Sequence, residues 1–83
     1  MTKLQYYRKK IGLSQFELAK YSDVSIKTIQ SYEQNKRSID SCRLDNLLKI
    51  SCALNVSFLD LIEDDDLRKR VIFQVYAPDA SEH

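Results

Sequence analysis

A chain of 83 residues, 43% hydrophobic and 30% charged, has room for one modest core; that balance excludes a disordered chain, and no apolar run approaches the ~20 residues a membrane span requires. The net charge of +1 hides an uneven distribution: residues 1–56 carry ten Lys/Arg against five Asp/Glu (+5), and residues 57–83 carry three against seven (−4). A basic body is compatible with nucleic acid without proving it. The N-terminal stretch MTKLQYYRKKIG lacks the continuous apolar segment of a signal peptide, so a cytoplasmic protein is expected. The only histidine is His83, which leaves Cys42 and Cys52 without partners for a zinc site, and small buried or half-buried thiols are expected, with no metal and no cofactor.

Val, Ile and Phe are sparse before position 56, while Leu, Lys, Gln, Ser and Ala recur, a composition suited to short helices. In LQYYRKKI, Leu4, Tyr7, Arg8 and Ile11 share one helical face, and Gly12 follows as a C-cap residue. A second helix, 14–22, opens with Ser14 as N-cap and Glu17 three positions later, the pattern of a capping box. Leu18 and Ala19 supply its core contact, and Ala19 is small enough for close approach. After SDVS, where Asp23 suits a left-handed turn, Ser25 caps a third helix that Asn35 ends.

At about 100° per residue, Ser25, Ile29, Tyr32 and Glu33 fall on one face of that helix, and Lys27, Gln30, Ser31 and Gln34 on the other. The connector KRSIDSC has Ile39 as its anchor. Helix four follows in RLDNLLKISCALN, with Leu44, Leu47, Leu48, Ser51 and Leu54 at helical spacing and Asp40 or Ser41 as its cap. Ser57 caps a short fifth helix that buries Phe58, Leu61 and Ile62. Beyond the acidic run 63–66, VIFQVY (71–76) is β-branched and aromatic; it reads first as a strand, and otherwise as a sixth helix using Leu67, Val71 and Val75.

Helices 14–22 and 25–34, joined by a turn of three or four residues, make a helix-turn-helix whose second helix can enter a DNA major groove. Arg8 and Glu33 both point inward. An unpaired buried charge is very costly, so an Arg8–Glu33 ion pair clamping helix one to helix three is expected.

The stretch GLSQFELAKYSDVSIKTIQSYEQNKR, followed by LLKISCALNVSFLDLI, closely resembles the phage-repressor (Cro-like, XRE-type) helix-turn-helix family over residues 4–62. The resemblance implies an all-α, five-helix, lambda-repressor-like domain that binds operator DNA as a two-fold dimer and regulates transcription. Members commonly have Gly where this chain has Asp23, Asn35 and Asn55, all of which tolerate left-handed backbone. The connector 38–43 looks about three residues longer than in the shortest members. Carried over by position, the resemblance puts Gln15 on a phosphate, Ile26, Lys27 and Ser31 at base-reading or groove-lining positions with Gln30 beside them, and Thr28, Lys36 and Arg37 on the backbone. The chemistry agrees: helix N-termini favour phosphate, Lys pairs with guanine O6/N7, and Gln with adenine N6/N7.

Each assignment has a plainer rival. Lys27 and Gln30 also fit a solvated helix surface, and Gln15 a polar first-turn residue. Ile26 fits packing on helix two as well as a thymine methyl. Phe16 is either an isolated exposed aromatic or a partner contact, and the acidic run fits a solvated linker better than a metal cage. The chain divides into a DNA-binding domain, 1–62, and an acidic linker with a C-terminal tail, 63–83. Residues 67–77 are the expected dimer or protein-partner segment, through antiparallel pairing of 71–76 if they form a strand. The leading function is a repressor acting as a homodimer on a palindromic operator. The alternative is an antitoxin-like protein that autoregulates its operon and neutralises a partner with its tail. No Ser/His/Asp or Cys/His set and no Gly-rich phosphate loop supports an enzyme.

Overall fold

The computed structural model describes residues 1–76. The elements are α1 (Lys3–Lys10), α2 (Gln15–Ser22), α3 (Ile26–Glu33), a 3-10 turn (Ile39–Ser41), α4 (Leu44–Leu54), a second 3-10 turn (Phe58–Leu61) and α5 (Asp65–Tyr76). Hydroxyl caps start three of the helices: Thr2 Oγ1 accepts from Gln5 N, Ser14 Oγ from Glu17 N, and Ser25 Oγ from Thr28 N. Four residues turn the chain out of its helices in the left-handed region: Gly12 at φ 80°, Asp23 at 58°, Asn35 at 57° and Asn55 at 56°. A short polar side chain lets Asp and Asn hold a conformation that would strain most residues.

Leu4, Leu18, Ile29, Ile50, Leu54 and Leu61 are fully buried and form the centre of the core. Val24, Tyr32, Ile39 and Leu47 close around them. α2 packs on α3 and α4, and α1 lies across α3 and the second 3-10 turn. The recognition candidate α3 is therefore held from two sides, leaving its third side outward.

Several expectations are corrected. Residues 71–76 are helical, and among the described residues there is no strand. The cause lies upstream: Asp64 Oδ1 accepts from Asp66 N at 2.9 Å and Leu67 N at 3.3 Å, which caps α5, while Asp65 and Asp66 sit in the first turn where the helix dipole favours them. With no neighbouring strand, β propensity has nothing to pair with. The acidic run is thus exposed but belongs to the start of α5. Its Glu63 Oε2 accepts from Lys3 N at 2.6 Å, and Lys3 Nζ donates to Ile62 O at 3.0 Å. Residues 77–83 of the expected tail lie outside the described residues.

Neither Asp40 nor Ser41 caps α4; Arg43 stands at the N-cap with no side-chain capping bond. Asp40 instead accepts from Glu63 N at 2.7 Å and Asp64 N at 2.9 Å, fastening the connector to the root of α5. Leu44 and Leu48 are exposed. The buried stripe of α4 is Leu47, Ile50, Ser51 and Leu54, and at ~100° per residue Leu44 and Leu48 lie roughly 70° and 110° from its centre. Ile11 is exposed because it is the C-cap of α1, where the helical phase ends. Ser25 is exposed as a cap rather than part of the core face. The expected fifth helix is only a 3-10 turn with Phe58 half-buried. Cys42 is half-buried, but Cys52 is exposed.

Candidate nucleic-acid interface

Asp23, Val24 and Ser25 join α2 to α3, with Val24 buried as the pivot. Ile29, Tyr32 and Glu33 turn α3 inward, whereas Lys27 and Gln34 are exposed and Ile26, Thr28, Gln30 and Ser31 half-buried. The face holding Lys27, Gln30 and Ser31 is thus the outer one.

The anchor of that helix is ionic. Arg8 Nε donates to Glu33 Oε2 at 2.6 Å and Arg8 Nη2 to Glu33 Oε1 at 2.9 Å, while Arg8 Nη1 donates to Leu13 O at 2.8 Å. One guanidinium therefore ties α1 to α3 and to the α1–α2 turn. Hydrogen bonding to Glu33 raises the Arg8 guanidinium above its ordinary value, although burial acts the other way.

Gln15, the first residue of α2, donates from Nε2 to Glu33 Oε1 at 3.0 Å, and Gln30 Nε2 donates to Gln15 Oε1 at 3.4 Å. Sequence reasoning missed this link. The 15-residue separation of the two glutamines carries no local signal. The Thr28 hydroxyl lies 2.8 Å from Ser25 Oγ, at the N-terminus of α3. Past α3, the N–H groups of Lys36 and Arg37 both donate to Ser31 O, at 2.9 and 3.2 Å, and both side chains are exposed. Phe16 is exposed on α2.

Beside Arg37 opens a cavity of about 320 Å³, lined by Tyr32, Arg37, Ser38, Ser41, Cys42, Arg43 and Asn46. Ser38, Arg43 and Asn46 were not singled out in the sequence, and Ser41, expected there as a cap of helix four, lines this cavity instead. Burial pushes both the Tyr32 phenol and the Cys42 thiol up from their ordinary values, so both stay protonated near neutrality. Among the described residues, no group of three or more His, Cys, Asp or Glu side chains is placed to hold a metal ion. Nor is any described helix long and apolar enough to cross a membrane.

The arrangement offers an outward helix face carrying one lysine and neutral hydrogen-bonding groups, flanked by two further cations. It can pair with polar edges in a groove and with phosphates beside it. Comparison with known families gives the same region: the sequence model described as Helix-turn-helix matches residues 4–61, well over half of the chain. No curated protein and no solved structure gives a match.

Proposed function

Since the chain belongs to the XRE-type (Cro-like) helix-turn-helix family and is a DNA-binding transcription regulator, we propose that it is a repressor that binds a palindromic operator as a homodimer. The observation that carries this reading is the outward face of α3, polar and cationic on a helix whose other side is anchored by the Arg8–Glu33 pair. In this reading Lys27, Gln30 and Ser31 meet base edges, with Ile26 at a thymine methyl. Gln15 and Thr28 meet phosphates on one side of the groove, and Lys36 and Arg37 on the other.

One reading helix contacts few base pairs, and two half-sites demand two copies held by a self-complementary contact. The dimer contact is assigned to α5 as a helix, on the face that Ile72 and Val75 share at i, i+3, 39% and 57% exposed, with Phe73, 66% exposed, further round the helix. A foreign protein on the same helix would make the chain antitoxin-like, and a stoichiometric partner co-purifying with it would favour that version. The function is tested with a reporter gene whose promoter carries the selected binding site. Expression of the chain should lower the signal, and a rise would make it an activator.

A further inference from the structure

An ionised carboxylate only accepts hydrogen bonds, and this fixes the polarity of what is attached to Glu33. Its Oε1 takes Gln15 Nε2 at 3.0 Å alongside Arg8 Nη2 at 2.9 Å. The Gln15 amide consequently has one allowed orientation, with its NH2 end on Glu33 and its Oε1 facing Gln30 Nε2. The reverse orientation would set two acceptors against each other with no proton between them. Water cannot take over the role, because the Glu33 side chain is only 2% exposed. Gln30 then spends one Nε2 hydrogen on Gln15, and its Oε1 and second Nε2 hydrogen form no other side-chain bond among the described residues.

The geometry points to Glu33 as a positioning residue for base recognition: through Gln15 it sets which end of the Gln30 amide is presented outward, and so favours adenine at the base pair that Gln30 meets. The inference rests on the proposed reading of α3. Adenine offers an N7 acceptor beside an N6 donor, a pattern that an amide matches in one orientation only. A Gln30 side chain released from Gln15 can turn over and present either end, and discrimination falls. The ion pair that holds α3 in place would thereby also set the polarity of one of its readers. Arg8 contributes by gripping both carboxylate oxygens, so that Oε1 stays within reach of α2.

The test compares the wild-type chain, Gln15→Met, and the double variant Arg8→Met/Glu33→Leu against the selected duplex and every single-base change in it. Gln15→Met leaves the ion pair intact and keeps the side-chain length. If the double variant does not fold, Gln15→Met alone decides. A residue that only holds a phosphate weakens all sequences by one common factor. The expected result is a loss of discrimination at one base pair per half-site, from the roughly 5- to 150-fold of a bidentate pair to about two-fold, with the other positions unchanged. Side-chain amide resonances read the same link without DNA: the Gln15 NH2 protons should exchange slowly in the wild type and become solvent-like in the double variant. Gln15→Met also removes the phosphate contact and so weakens every sequence by one common factor; that common factor with an unchanged preference profile, or a Gln15 amide already solvent-like in the wild type, would overturn the inference. If the wild-type chain selects no duplex while its Gln15 amide is protected, the operator reading has failed, and the base-selecting role falls with it.

Discussion

Arg8 on α1 and Glu33 on α3, 25 positions apart, meet in a bidentate ion pair at 2.6 and 2.9 Å, with side-chain exposures of 10% and 2%. Taking two charges out of water is costly, and only complete pairing offsets it. Glu33→Ala strands Arg8 and is expected to cost about 3–5 kcal/mol, a large share of the ~5–15 kcal/mol of a small domain. Arg8→Met with Glu33→Leu should recover most of that loss. Urea denaturation measures both, and a single-mutant cost under about 1 kcal/mol, as for an exposed pair, would contradict the burial.

The capping box of α2 predicts a pH dependence. Glu17 Oε1 accepts from Ser14 N at 2.9 Å, and this bond together with the Ser14 hydroxyl holds the Glu17 carboxyl below its ordinary value of 4.5. A carboxyl depressed in the folded state stabilises fully above its unfolded value, and the contribution is lost as pH falls through the lower folded value. The stability gap between wild type and Glu17→Gln should therefore narrow as pH falls from neutral into acid. A gap that widened would reverse the sign and refute the cap.

The outer face of α3 and the connector should fail in different ways. Lys27→Ala should change which base is preferred, at a cost of about 1–3 kcal/mol for a good base contact, with thermal stability almost unmoved because the side chain is exposed. Lys36→Ala or Arg37→Ala should weaken all sequences alike and flatten the slope of log K against log salt by about 0.9. If Lys27→Ala unfolds the chain, or if Lys36→Ala alters base preference, the facing of this surface is wrong.

Removing α5 separates association from folding. The buried core cluster contains no residue of α5, so a chain ending at Asp66 should still unfold cooperatively, losing only the helical signal of α5 itself. Sedimentation should show a monomer, and affinity for the full palindrome should drop while half-site preference persists. A truncated chain that remains dimeric would move the contact onto α1–α4.

What could be read from the sequence was local or periodic. Ser14 with Glu17 marks a cap within four residues, and Asp23, Asn35 and Asn55 announce left-handed turns by their own side chains. The inward facing of Arg8 and Glu33 follows from helical period alone. Relationships set by distant chain were not legible. Asp40 looked like a cap for the helix after it, yet it holds the N–H groups of Glu63 and Asp64, 23 and 24 positions on. VIFQVY carried a strand composition, but Asp64 had already started a helix through it. The Gln15–Gln30 link needs two helices in place before it exists. Ile50 went unnoticed as core because Leu48 offered a second leucine near the stripe, and burial chose the one closer to its centre.

The outer face of α3 is proposed to read duplex DNA in two copies. Selection of bound sequences from a random duplex library tests it most directly. An inverted repeat with half-site centres about 34 Å apart, one helical turn, is expected, bound with an affinity that falls steeply with salt. A library from which no duplex is enriched, even at low salt, would contradict it.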